Sequence, residues 1–218
     1  MVKLLKNQKI IIGVYTLFLL VTSIILISFS KSEIHLFINR HYSNFFDIFF
    51  RVVTTFGEDY FIVGVLILCL LISYRFAFIQ LASYSISGLA VQFLKNYIFP
   101  TIVRPSLYFK GIYELRFVEG VEMHSHYSFP SGHTATAFAL FFCFAVLVQK
   151  RWAKLFFIFC AILVGYSRMY LSQHFLIDVY AGSIIAVITV FLMFYLFGLI
   201  KNPKIDRPLF SFKKQRFK

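Results

Sequence analysis

His174 and Asp178 stand four residues apart, a spacing that puts both side chains on one face of a helix. A carboxylate holding one imidazole nitrogen leaves the other free as a nucleophile and stabilises the cation that forms when it reacts. A second imidazole, His133, ends the run Pro130-Ser131-Gly132-His133 and suits proton donation to a departing oxygen. Three cations, Lys95, Arg104 and Arg168, are of the type that clamps the oxygens of one phosphoryl group. Gly132 lets the backbone approach a ligand closely, and the free N–H groups and dipole of a helix start favour an anion there. Ser131 fits a helix N-cap equally well, and its hydroxyl suits both jobs. Taken singly, each residue has an ordinary explanation. A histidine at a membrane interface is usually just polar, Arg-Pro is a common loop dipeptide, and an aspartate pairs with any nearby cation. Taken together they form an acid, a nucleophile, an orienting carboxylate and an oxyanion clamp.

The elements that must position them are apolar. Hydrophobic residues make up 60% of the 218, above the half typical of soluble domains, and mean hydropathy is +0.79. A bilayer core of ~30 Å needs about 20 apolar residues in a helix. Six stretches fit, at roughly 10–29, 59–74, 76–94, 132–149, 154–170 and 176–200. The second and third meet at Tyr74 and Arg75, which predicts a tight helical hairpin. The first stretch follows Lys3, Lys6 and Lys9 as a signal peptide would, but it is too long and lacks a small-residue cleavage site, so it reads as a retained helix.

A net charge of +13 raises the possibility of a nucleic-acid binder. The placement of the charges excludes it. With the N-terminus inside, the inner segments hold 14 basic residues, including seven from Lys201 to Lys218, against one acidic, Asp206; the outer segments hold 8 of each. The whole excess lies on one side, as the positive-inside rule expects. Both termini are then cytoplasmic, and the candidate residues at the ends of the third to sixth stretches all face outward. In the first outer loop, residues 31–58, a stripe of Ile34, Phe37, Ile38, Phe45, Ile48, Phe49 and Val52 opposes Asn39, Arg40, Ser43, Asp47 and Arg51. It reads as an amphipathic helix on the membrane surface, with an ordinary packed loop helix as the alternative. The tail from Lys201 reads as a solvated topology signal, with contact to anionic inner-leaflet lipid as the alternative. Cys69, Cys143 and Cys160 each sit in an apolar run without metal-ligand spacing and read as buried apolar residues. There is no internal repeat or second domain, so residues 1–218 read as one all-α membrane domain.

The motifs resemble those of the type 2 phosphatidic acid phosphatases, which share a superfamily with vanadium haloperoxidases. That family's signatures are Lys-x6-Arg-Pro, Pro-Ser-Gly-His and Ser-Arg-x5-His-x3-Asp. Pro130–His133 matches the second in full, and Ser167-Arg168 through His174 to Asp178 matches the third. The first appears as Lys95 to Arg104-Pro105 with eight intervening residues; Pro100 in the spacer suits a bulge that returns Arg104 to register. The resemblance implies a six-helix membrane bundle and a phosphohistidine mechanism without metal or other cofactor. It assigns His174 as nucleophile, Asp178 as its partner and His133 as acid and then base, with Lys95, Arg104, Ser131, Gly132 and Arg168 holding phosphate. It further implies a multi-pass protein of a bacterial inner membrane, its site facing the periplasm. The implied substrates are phosphatidic acid, phosphatidylglycerol phosphate, undecaprenyl diphosphate or lipid A. A lipid phosphotransferase and a non-catalytic lipid-binding protein are the alternatives. His124 and His126 match no motif and read as loop residues near the substrate.

Overall fold

Serine hydroxyls start four of the helices. Ser30, Ser43, Ser73 and Ser131 each accept a hydrogen bond from the N–H three residues on, at 3.0–3.4 Å, which satisfies a donor that has no partner within the helix. The computed structural model describes residues 8–207 and Leu209. Lys3, Lys6, Lys213, Lys214, Arg216 and Lys218, all counted as topology signals, lie outside the described residues. The chain forms α1 (Lys9–Ser28), α2 (Lys31–Arg40), α3 (Asn44–Thr54), α4 (Asp59–Ile72), α5 (Tyr74–Phe93), α6 (Gly132–Leu147), α7 (Arg151–Tyr170) and α8 (Leu176–Leu199). A 3-10 turn at Thr55–Gly57 joins α3 to α4, and a π turn at Leu94–Ile98 extends α5. Among the described residues there is no strand.

Four helical segments are long and apolar enough to cross a membrane: Lys9–Ser28, Tyr74–Ile98, Arg151–Tyr170 and Leu176–Leu199. A fifth is obtained if α3, its 3-10 turn and α4, bent by 55°, make one span. Leu17 and Ile27 of α1, Leu89 of α5, Phe159 of α7 and Ile188 of α8 leave large apolar side chains exposed. A surface so apolar is matched to lipid rather than water, and the protein is a multi-pass membrane protein. At its centre lies α6, with 12 of its 16 residues buried by α5, α7 and α8.

Three expectations change in the structure. The segment 31–58 is two helices, because Ser43 caps a new start. Its polar side faces the protein: Asp47 is ion-paired with Arg116 and accepts from Tyr170 Oη at 2.6 Å. Arg75 does more than mark topology. It is buried in the first turn of α5, donates to the carbonyls of Phe197 and Ile200 at the end of α8, and pairs with Asp206 at 2.5 Å. The tail as far as Leu209 is correspondingly docked, with Leu209 N–H donating to Leu70 O at 2.8 Å. Cys69 and Cys143 are buried and Cys160 half-buried, all as free thiols.

The helix starts that carry the candidate residues meet closely. Ser131 N–H donates to Asp178 O at 3.0 Å, and a Cβ on Gly182 would stand 2.6 Å from Ser131 O. Glycine is needed there for α8 to touch the start of α6. Gly182→Ala is expected to destabilise the protein by about 1–3 kcal/mol, the usual cost of overpacking, read as a lower thermal midpoint in detergent.

Candidate active site

Asp178 lies in the first turn of α8 with 1% of its surface exposed. A buried carboxylate must be supplied with donors. Its Oδ2 accepts from Ser128 Oγ at 2.5 Å and from Phe175 N–H at 2.9 Å, and stands 3.3 Å from His174 Nδ1. This holds the imidazole by Nδ1 and directs Nε2 away from the carboxylate. His174 is itself 1% exposed. Burial, together with the charges of Arg104, Arg168 and Lys95, pushes its pKa well below the usual histidine value. The ring is therefore neutral, the state in which Nε2 carries a lone pair.

A cleft of about 620 Å³ brings His174 together with Lys95, Arg104, Gly132 and His133. Arg168 borders an adjoining cavity of about 330 Å³ that shares His133 and Glu58 with the first. Ser131 is fully buried beneath the start of α6, where its hydroxyl accepts from Thr134 Oγ1 at 2.9 Å. The eight-residue spacer of the first motif runs through the π turn at Leu94–Ile98 and a tight turn at residues 99–101. A π turn takes an extra residue without breaking the helix, and Lys95 within it faces the cleft.

The three cations have no carboxylate partner among the described residues. Arg104 donates to His126 O and to Gln173 Oε1, both at 3.0 Å. Arg168 Nη1 donates to Thr54 Oγ1 at 2.6 Å, while its Nε is buried without a protein acceptor. Arg104 and Arg168, with neutral partners only, and Lys95 keep charge that an anion could use.

Several participants carry no sequence signal. Gln173 holds Arg104 and is itself anchored to Glu122 O at 3.0 Å. Ser128 binds Asp178 from a loop. His35 and Asn39 of α2 both reach Ser172 Oγ at 3.2 Å and brace the turn before His174. His35 is stacked on Phe109, and burial lowers its pKa to about 4, so it is neutral. Glu58 Oε1 meets His133 Nε2 at 2.8 Å. His124 and His126 contribute carbonyl oxygens, to Ser106 and Arg104, and their side chains are exposed.

The family model described as the PAP2 superfamily matches residues 76–201. The chain belongs to the PAP2 superfamily. All eight candidate site residues lie inside that match, whereas Thr54 and Glu58 lie outside it. The lipid A 4'-phosphatase of Bacteroides thetaiotaomicron is 32% identical over 98 residues, covering 44% of this chain and 44% of that protein. The chain thus matches less than half the length of that relative. Among solved structures, Aquifex aeolicus LpxE aligns with a TM-score of 0.66 and 25% identity, over 75% of this chain and 93% of that one. A PAP2 type phosphatidylglycerolphosphate phosphatase from Bacillus subtilis aligns at 0.63 and 21% identity, over 88% and 97%, a likeness of fold.

Gln173→Ala frees Arg104 on one side. A hydrogen bond to a charged group contributes about 1.5 kcal/mol or more, so affinity for orthovanadate is expected to fall roughly tenfold, as read by calorimetric titration in detergent.

Proposed function

We propose that this protein is a membrane phosphatase that removes phosphate from a lipid headgroup through a phosphohistidine on His174. The observation that carries this reading is the convergence of Lys95, Arg104 and Arg168, none paired with a carboxylate among the described residues, around a neutral, buried His174. Phosphoryl transfer asks chiefly for positioning and for charge opposite the equatorial oxygens. The phosphate is held by Lys95, Arg104 and Arg168 with Ser131 and the Gly132 backbone. His174 Nε2 attacks phosphorus while Nδ1–H stays with Asp178. The bond to the lipid oxygen breaks with its electron pair, and that oxygen takes a proton from His133. Water then attacks phosphorus and gives its proton to His133, and the P–N pair returns to His174. The cations supply the charge compensation that a metal ion supplies elsewhere, so the reaction uses no cofactor.

The chain is read as one six-span domain, 1–218, in a bacterial inner membrane. Both termini are cytoplasmic and the cleft is on the periplasmic side. At 14 and 16 residues, α4 and α6 reach only about 21 and 24 Å. The bend extends α4, and neighbouring helices sheathe α6. The outward Phe45, Ile48 and Val52 of α3 lie in the membrane surface. The cleft wall on α5 runs through Ser85, Gly88, Leu89 and Gln92 to Lys95, one helix face that admits a lipid headgroup sideways. The adjoining cavity, rimmed by exposed Arg51, Glu122 and His124, gives water a route to His133. That favours hydrolysis over transfer to a second lipid. Similarity to a lipid A 4'-phosphatase makes the phosphates of lipid A the first substrates to test, with phosphatidylglycerol phosphate, phosphatidic acid and undecaprenyl diphosphate beside them.

Purified protein is expected to release phosphate from at least one of these lipids in the presence of EDTA and to be inhibited by vanadate. His174→Ala is expected to abolish turnover. Activity lost to the chelator would remove the metal-free mechanism, and turnover retained by His174→Ala would remove the nucleophile.

A further inference from the structure

The bend between α3 and α4 carries two contacts into the site. Thr54, the last residue of α3, accepts from Arg168 Nη1 at 2.6 Å. Four residues later, Glu58 Oε1 stands 2.8 Å from His133 Nε2. Between them Gly57 lies against His133, where a Cβ would stand 2.9 Å from His133 O. A side chain there would push the bend off the start of α6, so the glycine is what lets Glu58 reach the imidazole.

The charges around His133 give that contact its meaning. Arg104 of the loop after α5 and Lys95 of the π turn line the cleft with His174, Arg168 of α7 lines the adjoining cavity, and His133 borders both. Burial and the charges of Arg168 and Arg104 oppose a positive charge on His133, and Glu58 favours one. The carboxylate of Asp59, also on the cleft wall, is engaged by Tyr84 Oη at 2.9 Å. Glu58 is the one carboxylate that contacts His133 among the described residues. Glu58 offsets part of that opposition and so favours the protonated imidazole that a general acid requires.

We propose that Glu58 is a positioning residue that keeps His133 protonated and oriented toward the leaving oxygen, doing for the acid what Asp178 does for the nucleophile. The inference rests on the phosphatase reading above. Nε2–H of His133 stays on the Glu58 carboxylate throughout. Nδ1, which has no protein partner among the described residues, gives its proton to the lipid oxygen as the P–O bond breaks. It then takes one from water as the P–N bond breaks. The two carboxylates differ in setting. Asp178 is sealed from solvent, whereas the side chain of Glu58 is 37% exposed and borders both cavities. It is therefore placed to support an imidazole that must meet lipid in one step and water in the next.

The test is the pH dependence of kcat/KM for phosphate release, between pH 5 and 9, for the full-length protein in detergent. In Glu58→Gln, which keeps shape and hydrogen bonding but not charge, the descending limb is expected to move to lower pH. Activity should fall about tenfold or more at pH 8 and stay within about threefold of wild type at pH 5.5, the pattern of an acid that has lost roughly a unit of pKa. Glu58→Asp, whose carboxylate is drawn back, should move the limb the same way by less; it answers the question alone if Glu58→Gln does not accumulate folded. An unchanged limb, or a loss equal at every pH, would overturn the proposal and leave Glu58 a structural contact. Wild-type protein that releases no phosphate from any lipid phosphate would instead remove the phosphatase reading itself.

Discussion

Burying Asp178 is the constraint on which the arrangement depends. A carboxylate removed from water costs several kcal/mol unless donors replace the lost solvent. They come from three places: the Ser128 hydroxyl in the loop before α6, the Phe175 amide at the start of α8, and the His174 ring. The backbone carbonyl of the same residue takes the Ser131 N–H at the start of α6. One residue thus ties His174 to two helix starts. The close approach at Gly182 makes that junction possible.

The protein treats its cations in two ways. Arg75 and Arg116 are paired with Asp206 and Asp47 and serve structure: one closes the end of α8, the other fastens α3 to the outer loop. Lys95, Arg104 and Arg168 are gathered without such partners among the described residues. Their neighbours are neutral groups, the Gln173 amide, the His126 carbonyl and the Thr54 hydroxyl. Neutral partners hold a guanidinium in place without cancelling its charge. The same charges add to burial in disfavouring a protonated His174.

The bend between α3 and α4 joins the membrane frame to this field. On the present reading, one of its faces meets lipid through Phe45, Ile48 and Val52, and its inner corner meets His133 and Arg168 through Glu58 and Thr54. The cleft and the adjoining cavity touch at His133 and Glu58. On the proposed mechanism, this is where a reaction that begins with a lipid and ends with water needs a group able to exchange protons with each.

The sequence by itself determined the helices and the residue types of the site. Apolar runs can hardly form anything but helices in a bilayer, because backbone groups there must be satisfied locally, and the observed ends lie within three residues of those expected. The His174–Asp178 pair was legible because i, i+4 spacing is a local property of a helix. Other features depend on contacts between distant parts of the chain. Thr54 and Arg168 are 114 residues apart, Glu58 and His133 75, and Ser128 and Asp178 50; no periodicity encodes such pairs. The stripe in 31–58 was visible, but its polar side faces Arg116 and Tyr170 because tertiary packing offered those residues partners that water would otherwise have been. Only the folded structure decided how Lys95 reaches the cleft, since the eight-residue spacer passes through a π turn and then a tight turn at residues 99–101, which depend on packing rather than on composition.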